Sequence, residues 1–398
     1  MSSSSSDASD ARGRPRGRAW FPVIAVFGAT VVPYLLAEGI YALTRGGQAE
    51  TSLAYSFYAS RFVARRQVEP DPRDPLTVTI TDLSQIEPVL EAMQQNNVGV
   101  GNSPFSELKT PQASINDESG ECRRQKPNLR KKVGFLRTNL FNPFDQMTFF
   151  YDADRTLPPE LEEFFARYAF RTVLHTTNEH GERVTLPAVS SPSKVLIAGD
   201  SVANGIMLED GETLASQLQA ADRSRQYVNL GISRAAADDI ACAMEEAAVR
   251  YRGSIEQLLY VVCENDFDPE VRNGKPQELV AYLRSFAERE KIARVTVLYM
   301  PYIYNSVPEV TRLRGHLQYD FPTYREEKRE LITHARTAGF AVFDYLDVTN
   351  EERERAQSQF APLALYVDQT HMSRDGVTRI VPRLSAHLSG AAPAVTTQ

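Results

Sequence analysis

The chain has 398 residues, 42% of them hydrophobic and 24% charged, with 44 Lys and Arg against 51 Asp and Glu for a formal net charge of -7. That length calls for two or three domains, and the composition excludes long-range disorder, a collagen-like repeat and a many-span membrane protein. The acidic balance gives no support to a strongly basic nucleic-acid binder, and the three cysteines, Cys122, Cys242 and Cys263, are too scattered for a disulfide framework or paired zinc ligands, leaving room for at most one bridge.

Residues 1–18 form a polar lead that ends in Arg12, Arg14, Arg16 and Arg18, and an uncharged run follows from Ala19 to Ala37. After Glu38 the run resumes as Gly39-Ile40-Tyr41-Ala42-Leu43. About 20 apolar residues at 1.5 Å each cover the hydrocarbon core of a bilayer, so 19–43 is expected to be a single transmembrane anchor. Trp20 and Tyr41 suit the two interfaces, and the arginines before the run place the amino terminus in the cytoplasm with the remainder exported across the inner membrane. The run is longer than a signal-peptide core and no A-x-A site follows it. The Arg-Gly-Arg-Pro-Arg-Gly-Arg order resembles a minor-groove arm, but the topological role already explains it.

Residues 44–192 read as an exported mixed α+β region of unassigned role. A strand is expected at 77–80 and helices at 83–95 and 158–168. The stretch 121–132, with Arg123, Arg124, Lys126, Arg130, Lys131 and Lys132, reads as a solvated loop. Gly99 and Gly101 begin like a dinucleotide loop, but the third glycine is missing and no helix pattern follows.

From 193 the rhythm changes. Strands are expected at 194–198, 226–230, 257–263, 294–299 and 341–344, and helices at 214–221, 235–251, 277–291, 324–338 and 374–388, with a frayed tail at 391–398. Strands separated by helices of roughly 10 to 15 residues mean parallel strands with crossover helices, hence a doubly wound three-layer α/β/α domain over 193–390. In such sheets the ligand crevice lies beyond the carboxyl ends of the strands.

The chemistry-bearing residues stand at those ends. Ser201 follows the first strand in Gly199-Asp200-Ser201, Gly231 follows the second, Asn265 follows the third in Cys263-Glu264-Asn265-Asp266, and Asp368 and His371 precede the last helix. A serine hydroxyl needs a base to take its proton, an imidazole serves near neutral pH, and a carboxylate holds that imidazole in the right tautomer. One turn presents both Asp368 and His371, while amides of Ser201, Gly231 and Asn265 are candidates for an oxyanion hole. Asp200 reads as a turn-holding carboxylate, and His175, His180, His316, His334 and His387 as surface or packing residues. Cys242 and Cys263 read as buried thiols or as partners in one bridge.

These four blocks, in this order, resemble the SGNH (GDSL) hydrolase superfamily, centred on Ser201, Gly231, Asn265 and the Asp368–His371 pair, over about 195 residues. The segment 178–183, Asn-Glu-His-Gly-Glu-Arg, is similar to the lead into the first strand of membrane-anchored bacterial members. Cys263 departs from the pattern, standing where the family usually has glycine. The resemblance implies an SGNH/flavodoxin-like fold and a serine esterase acting on O-acyl, above all O-acetyl, groups of carbohydrate or cell-envelope polymers, lipids or small esters, with no metal or organic cofactor. The same triad would serve O-acyl transfer if a separate membrane acyltransferase partner delivered the donor. An inactive scaffold that keeps the fold is the reading from another class, and the cysteine at 263 is what favours it.

Overall fold

The structure is a computed structural model that describes residues 86–101, 115–117, 119–137, 146–268, 274–306, 324–358 and 361–390. The expected span at 19–43, the strand at 77–80 and the tail at 391–398 lie outside the described residues. Among the described residues no helix is long and apolar enough to cross a membrane.

Eleven strands are present among the described residues: β1 Gly99–Gly101, β2 Asn116–Asp117, β3 Arg124–Gln125, β4 Arg130–Arg137, β5 Gln146–Asp152, β6 Ala169–Thr176, β7 Lys194–Gly199, β8 Gln226–Asn229, β9 Ile255–Cys263, β10 Arg294–Met300 and β11 Ala341–Asp344. The last five make a wholly parallel sheet in the order β11-β10-β9-β7-β8. Counted along the domain this is 2-1-3-4-5, the doubly wound order whose switch point lies between the first and third strands. Ser201 follows β7 and Asn265 follows β9, so both sit at that point.

Both faces of the parallel sheet are covered, which is why β7 and β9 read as nearly unbroken apolar runs. One face buries Val195, Ile197, Leu259 and Val261 against helices Leu214–Ala221 and Arg374–Leu388. The other buries Leu196, Ala198, Leu258 and Val262 against Ala237–Arg250, Pro276–Glu290 and Arg325–Thr337. The sequence-based strands and helices of this half agree with these elements to within two residues at each end, and a further helix, Tyr345–Ala356, was not expected.

The upstream region departs more from expectation. It forms a second, antiparallel sheet in the order β1-β5-β4-β6, so of the stretch 121–132 read as loop, Arg124–Gln125 is strand β3 and Arg130–Lys132 opens strand β4, while Gly99–Gly101, whose dinucleotide-loop signal was already set aside, is strand β1. Lys131 and Lys132 stay half-buried at the sheet margin, Lys131 paired with Asp152 at 2.6 Å, so their charges do not oppose the strand. One face of this sheet packs on helices Glu87–Gln95 and Pro159–Tyr168 through Phe149, Leu161 and Phe165. The opposite face buries Val133, Phe135 and Val173 with Ile206, Met207 and Val367 of the parallel-sheet half. Ile206 follows the turn of Ser201, and Val367 immediately precedes Asp368, so the upstream sheet packs beside both the Ser201 helix and the Asp368 turn.

The single bridge joins Cys122 to Cys242, with Cα atoms 6.5 Å apart, and Cys263 is buried as a thiol. Of the two readings left open, the bridge between Cys242 and Cys263 is absent and Cys263 is the buried thiol expected by default, while Cys242 is bonded elsewhere. Cys242 lies on helix Ala237–Arg250, while the Cys263 side chain packs in the core on the other face of the sheet.

Candidate active site

The turn after β7 is built by three consecutive residues. Gly199 has φ +149°, and a Cβ there would lie 2.6 Å from the Val261 carbonyl, so only glycine lets β7 approach β9 and still turn. Asp200 caps the short helix Ser201–Asn204, its Oδ1 accepting the Val202 N–H at 2.8 Å, and thus takes the turn-holding role read from sequence. Ser201 comes next, at the switch point of the parallel sheet.

The loop before the last helix is an Asx-type turn. Asp368 Oδ1 accepts the backbone N–H groups of Thr370 at 2.8 Å and His371 at 2.7 Å, and the Val367 N–H closes the turn onto the His371 carbonyl at 2.8 Å. That leaves Asp368 Oδ2 for His371 Nδ1 at 2.7 Å, while His371 Nε2 stands 2.9 Å from Ser201 Oγ. The Thr370 hydroxyl lies 3.1 Å from His371 Nδ1 and adds a second polar contact to that edge of the ring. Ser201, Asp368 and His371 are brought together across 170 residues of chain, with Ser201 9% and Asp368 4% exposed. Burial by itself would raise the Asp368 carboxyl. The charge of His371 and the hydrogen bonds from His371 and Thr370 outweigh burial and hold it below the usual carboxylate value.

Asn265 lies in the turn Glu264–Asp266 after β9 and donates from Nδ2 to Asp200 Oδ2 at 3.1 Å, the oxygen that Ser201 Oγ approaches at 3.5 Å. Its side-chain amide is therefore beside the serine. Cys263 does not obstruct this: its side chain points into the core with no exposure, and burial pushes its thiol well above the usual value, so it behaves as a small neutral hydrophobe.

Gly231 has a different task from the one expected. Its N–H donates to Asn229 Oδ1 at 2.9 Å, a partner other than the oxyanion that was expected. What requires glycine is packing, because a Cβ would fall 2.1 Å from the Asn204 nitrogen on the helix that carries Ser201. The Gly231 carbonyl accepts from Asn204 Nδ2 at 2.8 Å, tying the loop after β8 to that helix.

Sequence reasoning missed Asn204, Asn229, Thr370 and Glu264. The first two stand in Asp-Ser-Val-Ala-Asn-Gly and Val-Asn-Leu-Gly, where polar residues beside close-packed glycines were the available signal. Glu264 is 2% exposed and accepts from the Tyr299 hydroxyl, the Tyr302 N–H and Asn305 Nδ2, each at 2.6 Å. It joins the Asn265 turn to the loop after β10. Burial pushes its carboxyl up to about 7 against the three donors that favour ionisation. Between the ordinary carboxylate value and about 7 the folded state holds a proton that the unfolded chain has released, so this group makes stability fall as pH rises through that window. The slope reaches about 1.4 kcal/mol per pH unit. Glu264→Gln is expected to flatten that part of a denaturant-unfolding series between pH 4.5 and 7; an unchanged profile would exclude Glu264 as its source.

His175 is fully buried, His387 nearly so, and His180 is exposed, in keeping with packing and surface roles, while His316 lies outside the described residues.

Fold and site together define a class: a three-layer α/β domain with a serine, histidine and aspartate in hydrogen-bonding sequence at its switch point. No family model matches the chain and no curated protein matches it. Among solved structures the chain is similar to a member of the lipolytic G-D-S-L family from Veillonella parvula, at 14% identity over 50% of this chain and 97% of that one, TM-score 0.37. It is similar also to a catalytic mutant of an acetylxylan esterase from Geobacillus stearothermophilus, at 19% identity over 53% and 99%, TM-score 0.37. A third is a carbohydrate acetylesterase family member from Sinorhizobium meliloti, at 14% identity over 50% and 98%, TM-score 0.35.

Proposed function

We propose that the parallel-sheet half is an ester hydrolase of the SGNH type that removes O-acyl groups, chiefly O-acetyl, from carbohydrate or cell-envelope substrates. The observation that carries the reading is the continuous Ser201–His371–Asp368 hydrogen-bond series at 2.9 and 2.7 Å. Ser201 Oγ attacks the ester carbonyl as its proton passes to His371 Nε2, and Asp368 stabilises the imidazolium through Nδ1. The tetrahedral oxygen draws on the Asn265 side-chain amide and the Ser201 N–H. His371 returns the proton to the departing alcohol, and a water activated by the same imidazole then releases the acid from the acyl-serine. The O-acyl carbohydrate substrate rests on the family resemblance that the four residue blocks carry. The test is hydrolysis of an aryl acetate and of acetylated glycans by the full chain, with fluorophosphonate labelling to locate the nucleophile; labelling anywhere but Ser201 would overturn the assignment.

The reading includes export. Disulfides persist in oxidising compartments and are rare in the cytosol, and the Cys122–Cys242 bridge supports a domain held outside the cytoplasm behind the expected anchor at 19–43. Denatured without reductant, the isolated protein is expected to expose one thiol, that of Cys263. A count of three would remove this support.

A further inference from the structure

Strands β2 and β3 form a small hairpin in which Asn116 pairs with Gln125, so both side chains leave on the same face. Both are buried and both end on the loop that follows β8. Asn116 Nδ2 donates to the Ser233 carbonyl at 2.7 Å, and Gln125 Nε2 donates to the Gly231 carbonyl at 2.8 Å. From the hairpin's tip, Arg123 Nη1 donates to the Arg234 carbonyl. Three side chains more than 100 residues upstream thus hold three carbonyls of one short loop. The loop needs holding, since Arg234 has φ +63°, a conformation that a residue with a Cβ keeps only where its surroundings impose it.

The hairpin is itself anchored along one face of helix Ala237–Arg250. The Arg123 N–H donates to Asp239 Oδ1 at 2.6 Å, Cys122 is bonded to Cys242, and Arg124 pairs with Glu246. Positions 239, 242 and 246 follow helical spacing, so the three attachments line up on one stripe. On its other side the loop meets the nucleophile's helix. The Gly231 carbonyl that Gln125 holds is the one that Asn204 Nδ2 also holds, and Gly231 leaves no room for a Cβ against Asn204. Movement of the loop therefore moves the helix that carries Ser201.

We propose that the β2–β3 hairpin is a positioning element of the active site, in which Asn116, Arg123 and Gln125 set the loop 231–234 and, through Asn204, the placement of Ser201. This gives a role to part of the upstream region, and it rests on the esterase reading. Misplacement of a reacting group by about 1 Å costs on the order of 10²-fold in rate.

The experiment uses the full chain with Asn116→Ala, Arg123→Ala and the double variant Cys122→Ser/Cys242→Ser. Turnover of an aryl acetate is measured with amide hydrogen exchange at residues 231–235 and the thermal midpoint. Asn116→Ala is expected to lower kcat roughly 10- to 100-fold with KM unchanged and to speed exchange in the loop. Arg123→Ala, whose side chain is partly exposed and leaves the core intact, is expected to lower kcat several-fold in the same pattern, and the double-serine variant to fall between them. Wild-type kcat in Asn116→Ala and Arg123→Ala, alongside Ser201-dependent turnover in the native chain, would overturn the proposal. If the native chain shows no Ser201-dependent turnover, the esterase reading falls and the active-site role falls with it, while exchange still decides the hold on the loop: full protection at 231–235 in both single variants would overturn that too, and faster exchange would leave the hairpin as a clamp on the loop alone.

Discussion

Ser201→Ala is expected to lower turnover of an aryl acetate on the order of 10⁴- to 10⁶-fold and to abolish fluorophosphonate labelling. The magnitude follows from the site's construction. His371 Nε2 lies 2.9 Å from Ser201 Oγ and its Nδ1 is fixed by Asp368, so the imidazole has a defined proton to take and a defined tautomer in which to take it. Without the hydroxyl only binding and oxyanion contacts remain. His371→Ala should cost nearly as much, and the two losses should not add, because the residues act as a unit. The serine hydroxyl is a small group at a helix start, so the thermal midpoint of Ser201→Ala should stay near that of the native chain. Turnover within tenfold of native, or labelling that persists, would sink the esterase reading.

Arg183→Ala is expected to destabilise the fold by about 3 to 5 kcal/mol, against a total stability of roughly 5 to 15 kcal/mol for a typical domain. The Arg183 side chain is 0% exposed. Its Nε donates to Asp210 Oδ1 at 3.0 Å and its Nη2 to the carbonyls of Leu174 at 3.1 Å and Leu208 at 2.8 Å. Nη1 donates to His175 Nδ1, which requires that imidazole to be neutral. Burial, and then the Arg183 charge, do hold the His175 value well below normal. Its Nε2–H is then the donor to Gln125 Oε1 at 2.8 Å, and Gln125 continues the series to the Gly231 carbonyl. Alanine would leave Asp210 as a buried charge without its counter-ion and would free His175 to reorient. Denaturant unfolding is the measurement, and a variant within about 1 kcal/mol of native would show that Arg183 does not hold this junction.

The segment 178–183 was legible in the sequence only as a likeness to the lead into the first strand. Its physical content is visible in three dimensions. Arg183 goes inward to Asp210, while Glu182 reaches Arg250 at 2.5 Å and the Tyr251 hydroxyl at 2.8 Å, fastening the upstream sheet's exit to the helix Ala237–Arg250. Nothing local in Glu-Arg predicts that one side chain is buried and its neighbour pairs at a helix end. The antiparallel sheet was missed for a related reason. Its strand Arg-Lys-Lys-Val-Gly-Phe-Leu-Arg mixes charge, glycine and aromatic residues, because one strand end is solvated while the middle is buried on both faces, and that blend has neither a period of two nor an apolar run.

The sequence by itself determined the alternation of strands and helices after 193 and the five positions at which chemistry was expected, because periodicity and strand-end placement are local properties that a buried parallel sheet imposes on its own residues. Tertiary structure alone decided which amides and thiols those positions meet. It turned the Gly231 N–H to Asn229, joined Cys122 rather than Cys263 to Cys242, and set a hairpin from the upstream region against the loop beside Ser201. Each depends on the distance between segments more than 100 residues apart or on the direction of one peptide plane, and neither quantity is carried by residue type or spacing along the chain.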